Sequence, residues 1–203
     1  MPYTACRGVS YYEVPEATGV CAKRIIAATM DARLIVMDTA TGEMCPSLGD
    51  NGTVNLLEGL TKAHHGTYLV TSAPTVVKGK VVLGGYVADN LYWGEPSGVV
   101  RAFDAVTGKL AWAFDYGRLD RRGAPEPVDF YTPSTSNSWG PMSTDESLGM
   151  VFFATGNAAL DYYGAQRRPF DDKFSASVVA VDANTGSSNG ASRLRITIYG
   201  TTM

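Results

Sequence analysis

The chain has 203 residues, 45% of them hydrophobic and 18% charged, a balance that suits a globular domain and excludes a disordered one. A net charge of −3 with no long basic run excludes a nucleic-acid partner, and no apolar run reaches membrane-spanning length. The 22 glycines and 11 tyrosines fit a chain of short strands and tight turns.

The opening MPYTACRGVSYYE has no signal-peptide pattern and reads like the interior of a domain. KRIIAATMDARLIVMDTATGE predicts a hairpin: strand Arg24–Thr29, turn Met30–Ala32, strand Arg33–Met37, and a further turn over Thr39–Gly42. TYLVTSAPTVVKGKVVLGGYVAD and SGVVRAFDAVTGKLAWAFD predict meanders with tight turns at Lys78-Gly79-Lys80 and Thr107-Gly108-Lys109. The loop Asp115–Asn137 is long for a compact domain, and loops of that length are often functional. SLGMVFFATGN predicts a strand ending in a polar turn, and SASVVAVDANTG the next hairpin. No amphipathic helix is expected.

One phrase occurs three times: LIVMDTATG at 34–42, VVRAFDAVTG at 99–108 and VVAVDANTG at 178–186. Each is an apolar strand running into an Asp and then Thr-Gly, at a spacing of roughly 65–80 residues, the mark of a repeat built from β-sheet modules. The expected fold is therefore all-β, with about three blades of a β-propeller. Trp112, inside the middle repeat, should lock one blade to the next, whereas Trp93 sits in a loop and is given no role. Cys6, Cys21 and Cys45 lack metal-ligand spacing; one disulfide is allowed, but buried thiols are the preferred reading. His64 and His65 would face opposite ways on a strand, so they are read as loop residues and not as a metal site.

Six stretches together resemble a known family: CRGVSYYE (6–13), the 24–42 hairpin, TSAPTVVKGKVVLGGYVADN (71–90), GEPSGVVRAFDAVTGKLAWAFD (94–115), NSWGPMSTDESLGMVFFATGN (137–157) and DYYGAQRRPFDDKFSASVVAVDANTG (161–186). The chain resembles the quinoprotein dehydrogenases that use pyrroloquinoline quinone (PQQ), and within them the membrane-bound glucose and quinate/shikimate enzymes. The resemblance implies part of an eight-bladed propeller with PQQ and a divalent metal, Ca or Mg, near its axis. It implies oxidation of a sugar, polyol or cyclic hydroxy acid, with electrons passed to ubiquinone, at the periplasmic face of the inner membrane. The chain itself shows no anchor or targeting signal. PQQ is a flat tricarboxylate quinone, so its site calls for cationic and hydroxyl donors, a metal and an aromatic surface.

By the same resemblance Arg7 supplies a guanidinium to the cofactor, Thr71 a hydroxyl, and Trp139 the indole that lies against the PQQ ring. Asp89 is the acidic metal ligand and Asn157 the amide ligand, with Asn90 a second-rank candidate; hard cations take such oxygens. No catalytic residue is assigned, because the family's general-base aspartate lies in its next segment. Two other classes fit less well. A non-catalytic repeat scaffold would not need Arg7, Asp89, Trp139 and Asn157 together, and a soluble sugar dehydrogenase of another propeller type would not carry the Thr-Gly–Trp repeats.

Residues 1–186 are thus expected to be a partial propeller and 187–203 a frameshifted, non-native tail. The repeat predicts Thr-Gly-Lys-Leu-x-Trp after Asp182, but the chain reads TGSSNG. Loss of one base from codons for Gly-Lys-Leu-Lys-Trp gives Gly-Ser-Ser-Asn-Gly. The restored frame can continue KLKWSFQTTHYDLWDYD, which is similar to the family's next segment. The tail is expected to add no strand to the blade, and the isolated chain to be inactive and prone to aggregate through uncovered blade faces.

Overall fold

The computed structural model describes residues 8–61, 63, 66–88, 91–158 and 164–193. Blade 1 is the sheet β1 (Ser10–Glu13), β2 (Lys23–Ala28), β3 (Arg33–Asp38) and β4 (Thr53–Asn55), in that spatial order. A small pair, β5 (Tyr68–Leu69) with β8 (Tyr86–Val87), flanks blade 2, which is ordered β6 (Thr75–Val77), β7 (Lys80–Leu83), β9 (Val100–Asp104), β10 (Leu110–Phe114). Blade 3 is β11 (Ser143–Asp145), β12 (Met150–Ala154), β13 (Ser177–Asp182) and β14 (Ser188–Arg193). Every named pairing is antiparallel. β6 touches both β1 and β11, so these first strands line the inner side of the stack. This is the three-blade arrangement expected from the repeat.

The repeated Asp-x-x-Thr-Gly is a turn held by its own carboxylate. Asp104 Oδ1 accepts the N–H groups of Val106 (3.1 Å) and Thr107 (2.7 Å) and the Thr107 hydroxyl (2.8 Å). Asp38 does the same for Ala40 and Thr41, and Asp182 for Asn184 and Thr185. Each closing glycine has φ near +70° (72°, 71° and 69°), a backbone state that costs glycine nothing sterically.

Blade 2 is buried on both faces. Val81, Leu83 and Phe103 join Ile26, Leu34 and Val36 of blade 1 in one core. Their strand neighbours Val82, Val100 and Ala102, with Trp112, join Val151, Phe153, Val179 and Val181 of blade 3 in the other. Alternation with period two sends successive side chains to opposite cores. The seams differ in chemistry. Trp112 Nε1–H donates to Ala183 O of the next blade at 2.8 Å. A Cβ on Gly186 would lie 2.7 Å from the indole, so only glycine admits the ring there. The blade 1–blade 2 seam has no tryptophan: Arg24 Nη1 donates to Ala105 O (3.1 Å) and Val106 O (3.0 Å), and Gly49 N–H to Thr107 O (2.9 Å).

Three expectations are corrected. Cys21 and Cys45 form a disulfide, not buried free thiols; the left-handed backbone at Cys21 (φ 62°) helps bring Cα atoms 24 residues apart in sequence to within 5.7 Å. Residues 188–193, placed in a tail that adds no strand, pair with β13 as the fourth strand of blade 3. Backbone pairing of an outer strand needs no apolar alternation, and SNGASR has little. A short helix, α1 (Pro169–Phe174), also forms where none was expected. Pro169 stands at the start of the helix, where its missing N–H costs nothing, and Asp171 accepts the Arg168 N–H. Phe174 anchors the helix among Phe114 and Tyr116. Cys6, His64 and His65 lie outside the described residues.

Candidate functional site

Connections at one end of the inner strands gather several of the sequence-selected residues. β5 is followed by Thr71, which leads through Ala73-Pro74 into β6; Thr71 is buried, and its hydroxyl donates to Trp139 O at 3.1 Å. On the partner side of that small sheet, Ala88 N–H donates to Thr67 O at 3.0 Å, which sets Ala88 beside the approach to Thr71. Ser10 Oγ donates to Pro74 O, and a Cβ on Gly8 would meet Ala73 Cβ at 3.3 Å, which brings Gly8 and the start of β1 to the same place. Trp139 stands on the loop before β11, and its side chain is not swallowed by either core: the residue is 45% exposed.

Gly156 and Asn157 end the strand–turn segment after β12. Gly156 N–H donates to Asn137 O at 2.8 Å. The position a Gly156 Cβ would occupy lies 3.5 Å from Asn137 Oδ1 and 3.6 Å from Trp139 Nε1. Asn157 is half-buried next to it. Thr71, Trp139 and the Gly156–Asn157 turn are therefore brought together, while Arg7, Asp89 and Asn90 lie outside the described residues. Among the described residues no cluster of three His, Cys, Asp or Glu forms a metal centre.

Two features suit a flat, polar-edged ligand at this end. The indole of Trp139 belongs to a residue that is 45% exposed, so part of an aromatic surface stands at this end. Asn137 Oδ1 and Ser138 Oγ, in the run leading into Trp139, are enclosed and have no hydrogen-bond partner among the described residues. Their backbone is wedged: the side-chain-free Gly84 and Gly98 admit Ser138 O and Ser136 O where a Cβ would clash. Sequence reading missed Asn137 and Ser138 as site residues, although both sit in the matched NSWGP run.

It also missed Glu95, which is fully buried; its Oε1 accepts the N–H groups of Leu91 (2.8 Å) and Tyr92 (3.3 Å). Burial, then the nearby Glu95 carboxylate, push the Tyr92 phenol above its ordinary value. The long loop lies elsewhere. Its residues 124–131 wall a cavity of about 350 Å³ with Glu58, Arg101 and Phe103, and Thr71, Trp139 and Asn157 take no part in it.

The propeller blades and this end of the stack define a class, the quinoprotein-type β-propellers. A family description, PQQ: glucose/ethanol/alcohol dehydrogenase, β-propeller domain, matches residues 1–189, and the chain belongs to that family. It is 44% identical over 191 residues to the glycerol dehydrogenase large subunit of Gluconobacter oxydans, covering 92% of this chain and 26% of that protein. It is 40% identical over 201 residues to the quinate/shikimate dehydrogenase (quinone) of Acinetobacter baylyi, covering 89% and 25%. It is 35% identical over 190 residues to the quinoprotein glucose dehydrogenase of Escherichia coli, covering 91% and 24%. The chain thus spans about a quarter of the length of these relatives. Among solved structures, a quinohemoprotein alcohol dehydrogenase from Pseudomonas putida superposes with a TM-score of 0.66 at 26% identity, covering 93% of this chain and 26% of that one.

Proposed function

We propose that this chain contributes part of the cofactor site of a PQQ-dependent, quinone-linked dehydrogenase acting on a CH–OH group of a sugar, polyol or cyclic hydroxy acid. The observation that carries the reading is the half-exposed Trp139 placed between the buried Thr71 and the Asn157 turn, beside the enclosed Asn137 Oδ1 and Ser138 Oγ, which have no hydrogen-bond partner among the described residues.

PQQ, when bound, supplies an ortho-quinone that takes up hydride from the substrate. Trp139 would give its ring a dispersion surface and exclude water from one side. Thr71, which donates to Trp139 O, would fix the backbone that carries the indole and offer its hydroxyl oxygen at the cofactor's edge. Asn137 and Ser138 would meet polar edges of the cofactor, and Arg7 its charged oxygens. Asp89, Asn90 and Asn157 would hold a divalent cation, Ca or Mg, through oxygen atoms. No catalytic base is assigned within residues 1–203.

Ubiquinone is the proposed acceptor and the periplasmic face of the inner membrane the proposed location. The Cys21–Cys45 disulfide supports an oxidising compartment. The proposed reading of residues 187–203 as a frameshift product is supported by the family match ending at residue 189; resequencing the gene across the Gly186 codon decides it.

The functional reading is tested in a chimera in which residues 1–186 replace the matching quarter of the Gluconobacter glycerol dehydrogenase large subunit. PQQ-dependent oxidation should survive the exchange, and Trp139→Ala should lower it by about tenfold or more. A folded chimera whose activity ignores Trp139→Ala would overturn the assignment.

A further inference from the structure

The loop 91–95 leads away from the proposed metal ligands, yet little apolar burial holds it. Leu91 is 67% exposed and Trp93 46%. Its fixed point is Glu95, with no exposed surface at all. Enclosing a carboxylate is costly unless donors surround it. Here the main-chain N–H groups of the same loop serve one oxygen, Oε1, from Leu91 at 2.8 Å and Tyr92 at 3.3 Å, while the enclosed Oε2 has no hydrogen-bond donor among the described residues.

The same residue grips a second loop. Glu95 O accepts Ser134 N–H at 2.9 Å, and Ser134 Oγ accepts Gly94 N–H at 2.9 Å. Ser134 is held with φ 55°, and Arg168 Nη2 donates to its carbonyl at 3.0 Å while the guanidinium lies 5.7 Å from the Trp93 ring. From Ser134 the chain runs to Trp139 with little slack: Gly98 N–H donates to Thr135 Oγ1 at 3.0 Å, and the backbone at Ser136 and Ser138 presses against Gly98 and Gly84. A shift at Ser134 is therefore passed along to Trp139.

We propose that Glu95 is a positioning residue: one buried carboxylate and its carbonyl set the segment just after Asp89–Asn90 and the loop bearing Trp139 in fixed relation. Its link to catalysis rests on the reading of the Trp139 end as a cofactor site. The coupling itself stands on the hydrogen bonds alone.

The test uses the full chain and needs no cofactor. Backbone amide exchange and the indole N–H resonances are recorded for the parent, Glu95→Ala and Glu95→Gln, with Trp139 assigned through Trp139→Phe. In Glu95→Ala, exchange at Leu91, Tyr92 and Ser134–Ser138 should quicken about tenfold or more, and the Trp139 indole signal should move. The Trp112 indole, bonded to Ala183 O in another seam, should stay in place. Glu95→Gln keeps an acceptor oxygen and should restore most of the parent behaviour.

If Glu95→Ala fails to fold, Ser134→Ala, which removes only the hydroxyl accepting Gly94 N–H, is read by the same signals. Changes confined to residues 91–95, or an equal disturbance of Trp112 and Trp139, would overturn the proposal. A failure of PQQ to bind would count against the cofactor reading and leave this result standing.

Discussion

At the scale of the residue, the repeated aspartate explains both a shape and a pH dependence. Burial pushes Asp104 up, but the Thr107 N–H and hydroxyl and the Val106 N–H outweigh it and hold the carboxyl below its usual range. The Thr185 N–H does the same for Asp182, and the Cys21 and Thr41 N–H groups for Asp38. A carboxyl depressed in the folded state stabilises the fold above its unfolded pKa of about 4, and that contribution fades as pH falls through the folded value. The stability of the chain should therefore drop with acidification below about pH 4, and Asp104→Ala should flatten that slope while costing about 1–3 kcal/mol at neutral pH. Denaturant midpoints measured between neutral and acid pH check both; an unchanged slope in the variant would count against the turn account. These turns were legible in the sequence because each aspartate is capped by donors two and three residues on, with the Cys21 N–H a distant addition at Asp38 alone. Glu95 was not: it serves main-chain N–H groups, and Gly-Glu-Pro-Ser-Gly carries no periodic signal that marks a buried acid.

At the scale of the element, the two seams put different chemistry in the same place. Between blades 2 and 3, Trp112 reaches the turn that ends at Gly186. Between blades 1 and 2, Leu48 and Val54 fill the space beside Gly108, within 3.0 Å and 2.8 Å of where its Cβ would be. The disulfide braces that filling: Leu48 N–H donates to Cys45 O and Cys45 N–H to Val36 O, while Arg24 Nε donates to Cys21 O before its other arm crosses to Ala105 and Val106. Closing a 24-residue separation is worth about 3 kcal/mol. Cys45→Ser should lower stability by about that amount and quicken exchange at Leu48–Leu56 and Thr107–Gly108 before it reaches Ala183–Gly186. Uniform loosening of both seams would contradict the bracing role. The linking job of Trp112 could be read from its place in the repeat. The disulfide could not, since three cysteines allow more than one pairing and the approach of two of them is a tertiary event. Nor could α1 be read, being six residues long and held by Phe174 in a core built by blades 2 and 3.

At the scale of the whole molecule, both ends of the three-blade stack show partly apolar faces. Tyr11, Ile25 and Met37 stand in register across blade 1 on the side away from blade 2, and Phe152, Ala180 and Val178 lie on the corresponding side of blade 3. Tyr11 is 52% exposed and Val178 39%. Such faces suit further blades, which is why the cofactor test belongs in a chimera that covers them. The blade architecture was legible from three copies of one phrase. The gathering of Thr71, Trp139 and Asn157 was legible only through resemblance, because 86 residues of chain separate the first from the last and no local pattern joins them. The central claim is that this gathering faces PQQ. Equilibrium dialysis of PQQ against the purified chimera, with and without Trp139→Ala, tests it most directly. The account predicts stoichiometric binding by the chimera and affinity lowered about tenfold or more by the substitution. Equal affinity in the two folded proteins would contradict it.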